Sequence, residues 1–195
     1  MRIDEITQPA IEQAIELMTQ RCGPYLQEIG GLKNALVNYP LYRGTEFVAK
    51  FQVVAVRQDR KPLATPRAIH DQIDDWFEAN SMTRIRYRSQ SLFCSGNVRM
   101  ASGYADYTGG AVIVLPIGRY HYLWSQNRGD LFNTIMHHAR QEGSPPDIPT
   151  FLQDSYYIED RHLLEAIDSR NEIMLHCQEA VLVNRRWAEK LAENL

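Results

Sequence analysis

Apolar positions recur at helical spacing from the start of the chain. Ile11, Ala14, Ile15, Met18 and Cys22 fall on one stripe, Pro9 suits a first helical turn, and Gly23-Pro24 ends the run. A second helical stretch runs through Tyr25, Leu26, Ile29, Leu32 and Leu36, weakened at Gly30-Gly31 and stopped by Pro40. From Leu41 the pattern shortens to β-rich pieces, Leu41-Tyr42-Arg43-Gly44 and then Phe47 to Val56, where a sheet is predicted to begin. Thr65-Pro66 predicts the next helix, with threonine as N-cap, and Ile69, Ile73, Trp76 and Phe77 give its buried stripe as far as Asn80.

Beyond Asn80 the segment Arg84 to Tyr87 reads as extended and Ser91 to Ser95 as a strand; Gly96 turns the chain into a short helix from Asn97 to Tyr104. Ala111 to Pro116 is apolar enough for a central strand, and Gly118 predicts a hairpin into a second strand through Tyr120 and Leu123. Asn127-Arg128-Gly129-Asp130 opens a helix carrying Leu131, Ile135, Met136 and Ala139, closed by Gly143, with a loop from Gly143 to Thr150. A helix from Glu159 to Ile167, two strands at Glu172 to Cys177 and Ala180 to Val183, and a helical tail complete the reading. Helices first and strands interrupted by helices afterwards predict an α+β fold in one domain. Its parts are a helical segment over 1–39, a core over 40–184 and a tail over 185–195.

Composition narrows the classes. A chain of 195 residues with 44% hydrophobic and 23% charged residues is enough for one packed core. The net charge of −3 and pI near 6.1 leave no broad basic face for duplex DNA or anionic lipid, so nucleic acid is a possible but not a favoured partner. No apolar run spans a bilayer and the first residues lack a signal-peptide pattern, so no membrane and a cytoplasmic location are expected. Cys22, Cys94 and Cys177 have no CxxC spacing and read as core residues, and the histidines show no HExxH, so no metal is expected. GxGxxG, GxxxxGK[ST] and GxSxG are all missing, which argues against Rossmann, P-loop and α/β-hydrolase sites.

Three segments in order then stand out: Leu41-Tyr42-Arg43-Gly44, Leu92-Phe93-Cys94-Ser95-Gly96-Asn97 with Ala101 and Tyr104 following, and Asn171-Glu172-Ile173-Met174-Leu175. Together they resemble the ADP-ribosyltransferase superfamily, in which an arginine on the first core strand, a serine or threonine on a middle strand and a glutamate on a late strand form the site. Arg60-Lys61-Pro62, Trp76-Phe77, Pro116-Ile117-Gly118 and Trp124-Ser125 are similar to elements of bacterial and phage-encoded members. The resemblance implies a split, mainly antiparallel β-sandwich core. It also implies mono-ADP-ribosyl transfer from NAD⁺, consumed as co-substrate, to a macromolecular acceptor such as a side chain of a host or target protein. NAD⁺ glycohydrolysis and a non-catalytic, virion-associated interaction module on the same fold are the alternatives.

The chemistry accounts for the residue types. Breaking the bond between ribose and nicotinamide builds positive charge on the sugar, which a carboxylate hydrogen-bonded to the ribose 2′-hydroxyl stabilises. Glu172 is the candidate. A planar guanidinium suits the diphosphate and ribose, which points to Arg43. The resemblance gives Ser95 the orienting hydroxyl, with Ser91 and Ser89 as alternatives because the motif reads Cys94-Ser95-Gly96. It also assigns Gly44, Tyr104 and Tyr107 to NAD⁺ binding, the glycine by close backbone approach and either tyrosine by stacking on nicotinamide. Arg170 stands two positions before Glu172, where many protein-modifying members carry glutamate or glutamine, so an arginine acceptor is not supported. The competing assignments are a strand arginine paired with Glu46 for Arg43 and Glu179 as the rival carboxylate; Arg84, Arg86 and Arg88, alternating with Tyr87 between them, offer either the lining of a phosphate-bearing or nucleic-acid groove or a solvated strand face.

Overall fold

A computed structural model describes residues 8–45, 48–61, 65–103, 105 and 110–195. Helix α1 (Gln8–Arg21) buries Ile11, Ala14 and Met18, and α2 (Gly23–Ile29) buries Tyr25, Leu26 and Ile29. The second helix, expected to run on through Leu36 to Pro40, ends instead at Gly30-Gly31. Gly30, at φ +84°, donates its N–H to the Leu26 carbonyl, and the chain resumes as a π-helical turn over Asn34–Asn38.

Among the described residues six antiparallel strands follow: β1 (Tyr42–Thr45), β2 (Phe51–Ala55), β3 (Leu92–Cys94), β4 (Gly110–Ser125), β5 (Tyr157–Glu159) and β6 (Ile173–Asn184). Their order is β1-β4-β6-β2, with β3 also on β6 and β5 also on β4. The predicted hairpin at Gly118 is instead one strand with a bulge. Pairing with β6 skips between Ile117 and Tyr120, and Gly118, at φ +67°, takes up the displacement without reversing the chain. The two predicted late strands are likewise a single β6, because Ala180 to Asn184 and Ile173 to Cys177 both pair continuously with β4.

These long central strands serve two partner sets. β6 pairs with β3 through Ile173 to Leu175 and with β2 through Glu179 to Val183; β4 pairs with β1 near its start and with β5 near its end. Although β1 lies outside β4 and β3 outside β6, Tyr42 and Ser95 exchange both backbone hydrogen bonds, each 2.9 Å. The sheet therefore curls until its two outer edges meet.

Alternation along β6 shows that both faces are covered. Ile173, Leu175 and Cys177 pack with α1, α2 and the C-terminal helices α8 (Leu163–Ser169) and α9 (Arg185–Ala192). Met174 packs instead with Ile69, Ile73 and Phe77 of α3 (Arg67–Asn80), Leu131 and Ile135 of α6 (Leu131–Glu142), and Ile148 and Leu152 of α7 (Ile148–Gln153). Trp187 is buried against Phe51, 5.3 Å between ring centroids, which docks the tail.

Other boundaries move for local reasons. Pro66, not Thr65, is the N-cap of α3. The piece from Arg84 to Tyr87 is not a strand: Arg84 sits at φ +55° and α4 (Tyr87–Gln90) begins at once, held by Asp74, which accepts from the Arg88 and Ser89 amides. The predicted loop to Thr150 contains the start of α7, capped by Asp147. The helix predicted from Glu159 is strand β5 followed by α8, with Asp160 and His162 both at positive φ in between. Asn97 caps α5 (Val98–Ser102), as its position after Gly96 suggests.

Candidate functional site

Glu172 lies immediately before β6 and two residues from Met174, so its side chain belongs to the face covered by α3 and α6. It is 6% exposed. Its backbone N–H donates to the Gly129 carbonyl at 2.6 Å, and its carboxylate accepts from the Leu131 amide at the start of α6, where the helix favours an anion. Arg88, equally buried, places Nη1 3.4 Å from Glu172 Oε1. Burial nevertheless pushes the Glu172 carboxyl up to about 7; the Arg88 charge opposes that shift and the Asp130 charge adds to it.

Two arginines grip one aromatic ring beside this carboxylate. The guanidinium carbons of Arg60 and Arg88 lie 4.5 and 4.4 Å from the centroid of Phe93 on β3. Arg60 feels the like charges of Arg43 and Arg88 and the opposite charge of Glu172; burial first, then those two cations, brings its pKa down to about 10. Arg43, on β1 and partly buried, is also lowered by burial. Its guanidinium has no hydrogen bond or ion pair to any described residue. Arg60 Nη1 and Arg88 Nε are buried without partners among the described residues.

Arg60 and Arg88 thus flank the buried carboxylate of Glu172 with donors left open among the described residues, and Arg43 stands near Arg60. Buried donors left open cost stability unless an acceptor fills them. An anion with many oxygens matches that need, and a diphosphate is such an anion. Arg60 also lines a cleft of about 470 Å³ together with Lys61, His70 and Ser89. Among the described residues it is Arg60 that links this cleft to both Arg43 and Glu172.

Ser95 is fully buried, and its hydroxyl is occupied: it donates to the Arg170 carbonyl at 2.8 Å and accepts from the Asn97 amide at 3.0 Å. Ser89 donates to the buried Asp74 carboxylate. Ser91, the remaining alternative, is 2% exposed and its hydroxyl has no partner among the described residues. Gly44 is buried on β1 opposite Ala111. Tyr104, Tyr107 and Glu46 lie outside the described residues. The rival carboxylate Glu179 is half exposed and paired with Arg21 at 2.7 Å on the far half of β6, away from this cluster.

Sequence reasoning treated Arg84, Arg86 and Arg88 as one alternating face and did not separate Arg88 from the other two. Because α4 replaces the strand, Arg86 turns outward to Asp75 and Glu78, at 2.8 and 2.9 Å, while Arg88 turns inward to Glu172. No spacing rule would have separated them. Compared with protein-family models, with curated proteins and with solved structures, the chain matches none, so the reading of this site rests on its own residues.

Proposed function

We propose that this protein is an NAD⁺-dependent mono-ADP-ribosyltransferase whose six-stranded, curled sheet is a split β-sandwich of that superfamily. The observation that carries the reading is the pair of arginines at the buried carboxylate of Glu172, Arg88 at 3.4 Å and Arg60 over the same Phe93 ring, with Arg43 near Arg60. Arg60 and Arg88 supply buried donors left open among the described residues for a dinucleotide diphosphate, Arg43 adds a guanidinium beside Arg60, and Glu172 supplies a negative charge that suits a ribose cation. As the bond from the anomeric carbon to nicotinamide breaks, the leaving ring takes the bonding pair and departs neutral. The sugar becomes cationic, and the ionised Glu172 stabilises it through the 2′-hydroxyl. The growing positive charge itself favours the ionised form of Glu172. An acceptor then closes on the anomeric carbon.

The second reading is hydrolysis, with water as acceptor. Incubation with NAD⁺ labelled in the ADP-ribose part, in the presence of cell lysate, separates the two. Label held on macromolecules by wild type and lost in Glu172→Gln is the expected result. Free ADP-ribose alone supports the glycohydrolase, and unconsumed NAD⁺ contradicts both.

A further inference from the structure

A second cleft, of about 360 Å³, lies over the place where the two sheet edges meet. It is lined by Tyr42, Gly96, Asn97, Val98, Arg99 and Arg170. Its floor is fixed by backbone contacts. Tyr42 and Ser95 exchange two hydrogen bonds, the Asn97 side chain caps α5 through the Arg99 and Met100 amides, and the Ser95 hydroxyl holds the Arg170 carbonyl. Gly96 cannot carry a side chain, since a Cβ there would stand 1.9 Å from the Ile167 carbonyl oxygen. The turn of β3 into α5 is thereby clamped against the end of α8.

The walls are cationic. Arg99 and Arg170 are exposed and make no ion pair with any described residue, and Arg185 stands 5.8 Å from the Tyr42 ring at the edge. None of the described lining residues is acidic. Arg170 and Glu172 are separated only by Asn171, whose amide is tied to the carbonyls of Ser125 and Gln126 at 2.8 and 3.1 Å. A group held between Arg99 and Arg170 is therefore held on the same rigid turn that carries the catalytic carboxylate.

We infer that this cleft binds the acceptor and that the acceptor is a carboxylate side chain, aspartate or glutamate, in an acidic stretch of protein. The inference rests on the proposed transferase reading. Two guanidiniums match a carboxylate in charge and in geometry. Among the described lining residues there is no base, and the chemistry agrees with that. A hydroxyl or guanidinium acceptor must give up a proton, whereas an ionised carboxylate attacks with a lone pair it already has. Its oxygen bonds to the ribose anomeric carbon, the bond to nicotinamide breaks, and nicotinamide leaves with the electron pair. The positive charge of the donor ring and the negative charge of the acceptor cancel, with no proton to place.

The test offers wild-type protein labelled NAD⁺ with, in turn, a glutamate-rich peptide, a lysine-rich peptide and a 5′-phosphorylated oligonucleotide. Label on the glutamate-rich peptide, released by neutral hydroxylamine as an ester should be, is the expected result. In the doubly substituted Arg99→Glu, Arg170→Glu protein, the ratio of labelled glutamate-rich to lysine-rich peptide falls about tenfold or more, because both carboxylate contacts become repulsive. Label on the lysine peptide, on the oligonucleotide or on no acceptor while NAD⁺ is consumed overturns the inference and leaves the NAD⁺ chemistry standing, as does an unchanged ratio in the variant. If wild type neither binds nor consumes NAD⁺, the parent reading falls and this one falls with it.

Discussion

Glu172 combines two properties that pull against each other. Its burial favours the neutral acid, yet the proposed chemistry needs the anion, and the balance sets its pKa near 7. Activity measured as kcat/KM for NAD⁺ should therefore rise with pH through about 7 and level off above it; a flat profile between pH 5.5 and 8.5 would count against Glu172 as the acting group. Glu172→Gln keeps the shape and removes the charge, and should lower kcat by about 10²–10³-fold, the range found when a preorganised transition-state contact is removed. Arg43 contributes geometry as well as charge. Arg43→Lys retains the cation but loses the planar fork, and because a hydrogen bond to a charged group is worth about 1.5–3 kcal/mol, KM for NAD⁺ should rise roughly ten- to hundredfold. Steady-state kinetics on the purified variant checks this; an unchanged KM would place the guanidinium away from the donor.

At the scale of elements, two glycines make different demands. Gly96 needs space: with the Ile167 carbonyl oxygen 1.9 Å from any Cβ, Gly96→Ala must push α8 off the β3–α5 turn, at a cost of about 2 kcal/mol or more. Gly118 needs only its dihedral, since a Cβ there meets nothing within 4 Å, and Gly118→Ala should cost about 1 kcal/mol through positive φ alone. Calorimetric melting of the two variants ranks them, and a larger loss at Gly118 would contradict this account of the bulge. The same two positions show what the sequence made legible. Turn residues were readable, as were the periodic helices α1, α3 and α6, because amphipathic spacing and glycine or proline are local signals. What Gly118 does was not readable: a positive-φ glycine serves a hairpin or a bulge equally well, and only the pairing of β4 with β6 on both sides of the register shift decides. Arg88 was hidden for a similar reason. Its direction depends on α4, a single turn set by a tertiary contact to Asp74.

At the scale of the whole molecule, Arg60 after β2, Arg88 on α4 and Glu172 before β6 come together, and the closure of the sheet at Tyr42 and Ser95 brings β1, with Arg43, near Arg60. The resemblance offered Arg43 and Glu172 as candidates; the placement of the two arginines around Phe93 comes from the fold. The cluster should also mark the pH dependence of folding. The folded pKa of Glu172 is raised above its ordinary carboxylate value, so its contribution to stability is fully present below about 4.5 and is lost as pH rises through about 7. The stability of wild type relative to Glu172→Gln should accordingly fall between those values and stay level above them, measured by urea unfolding across pH. A difference that rises over that interval would mean that the Arg88 pair, not burial, governs this carboxylate. The most direct measurement of the central claim is calorimetric titration of the intact protein with NAD⁺. Saturable one-to-one binding, weakened about tenfold or more in Arg43→Ala, is the predicted result; no saturable binding by wild type, or equal affinity in the variant, would contradict it.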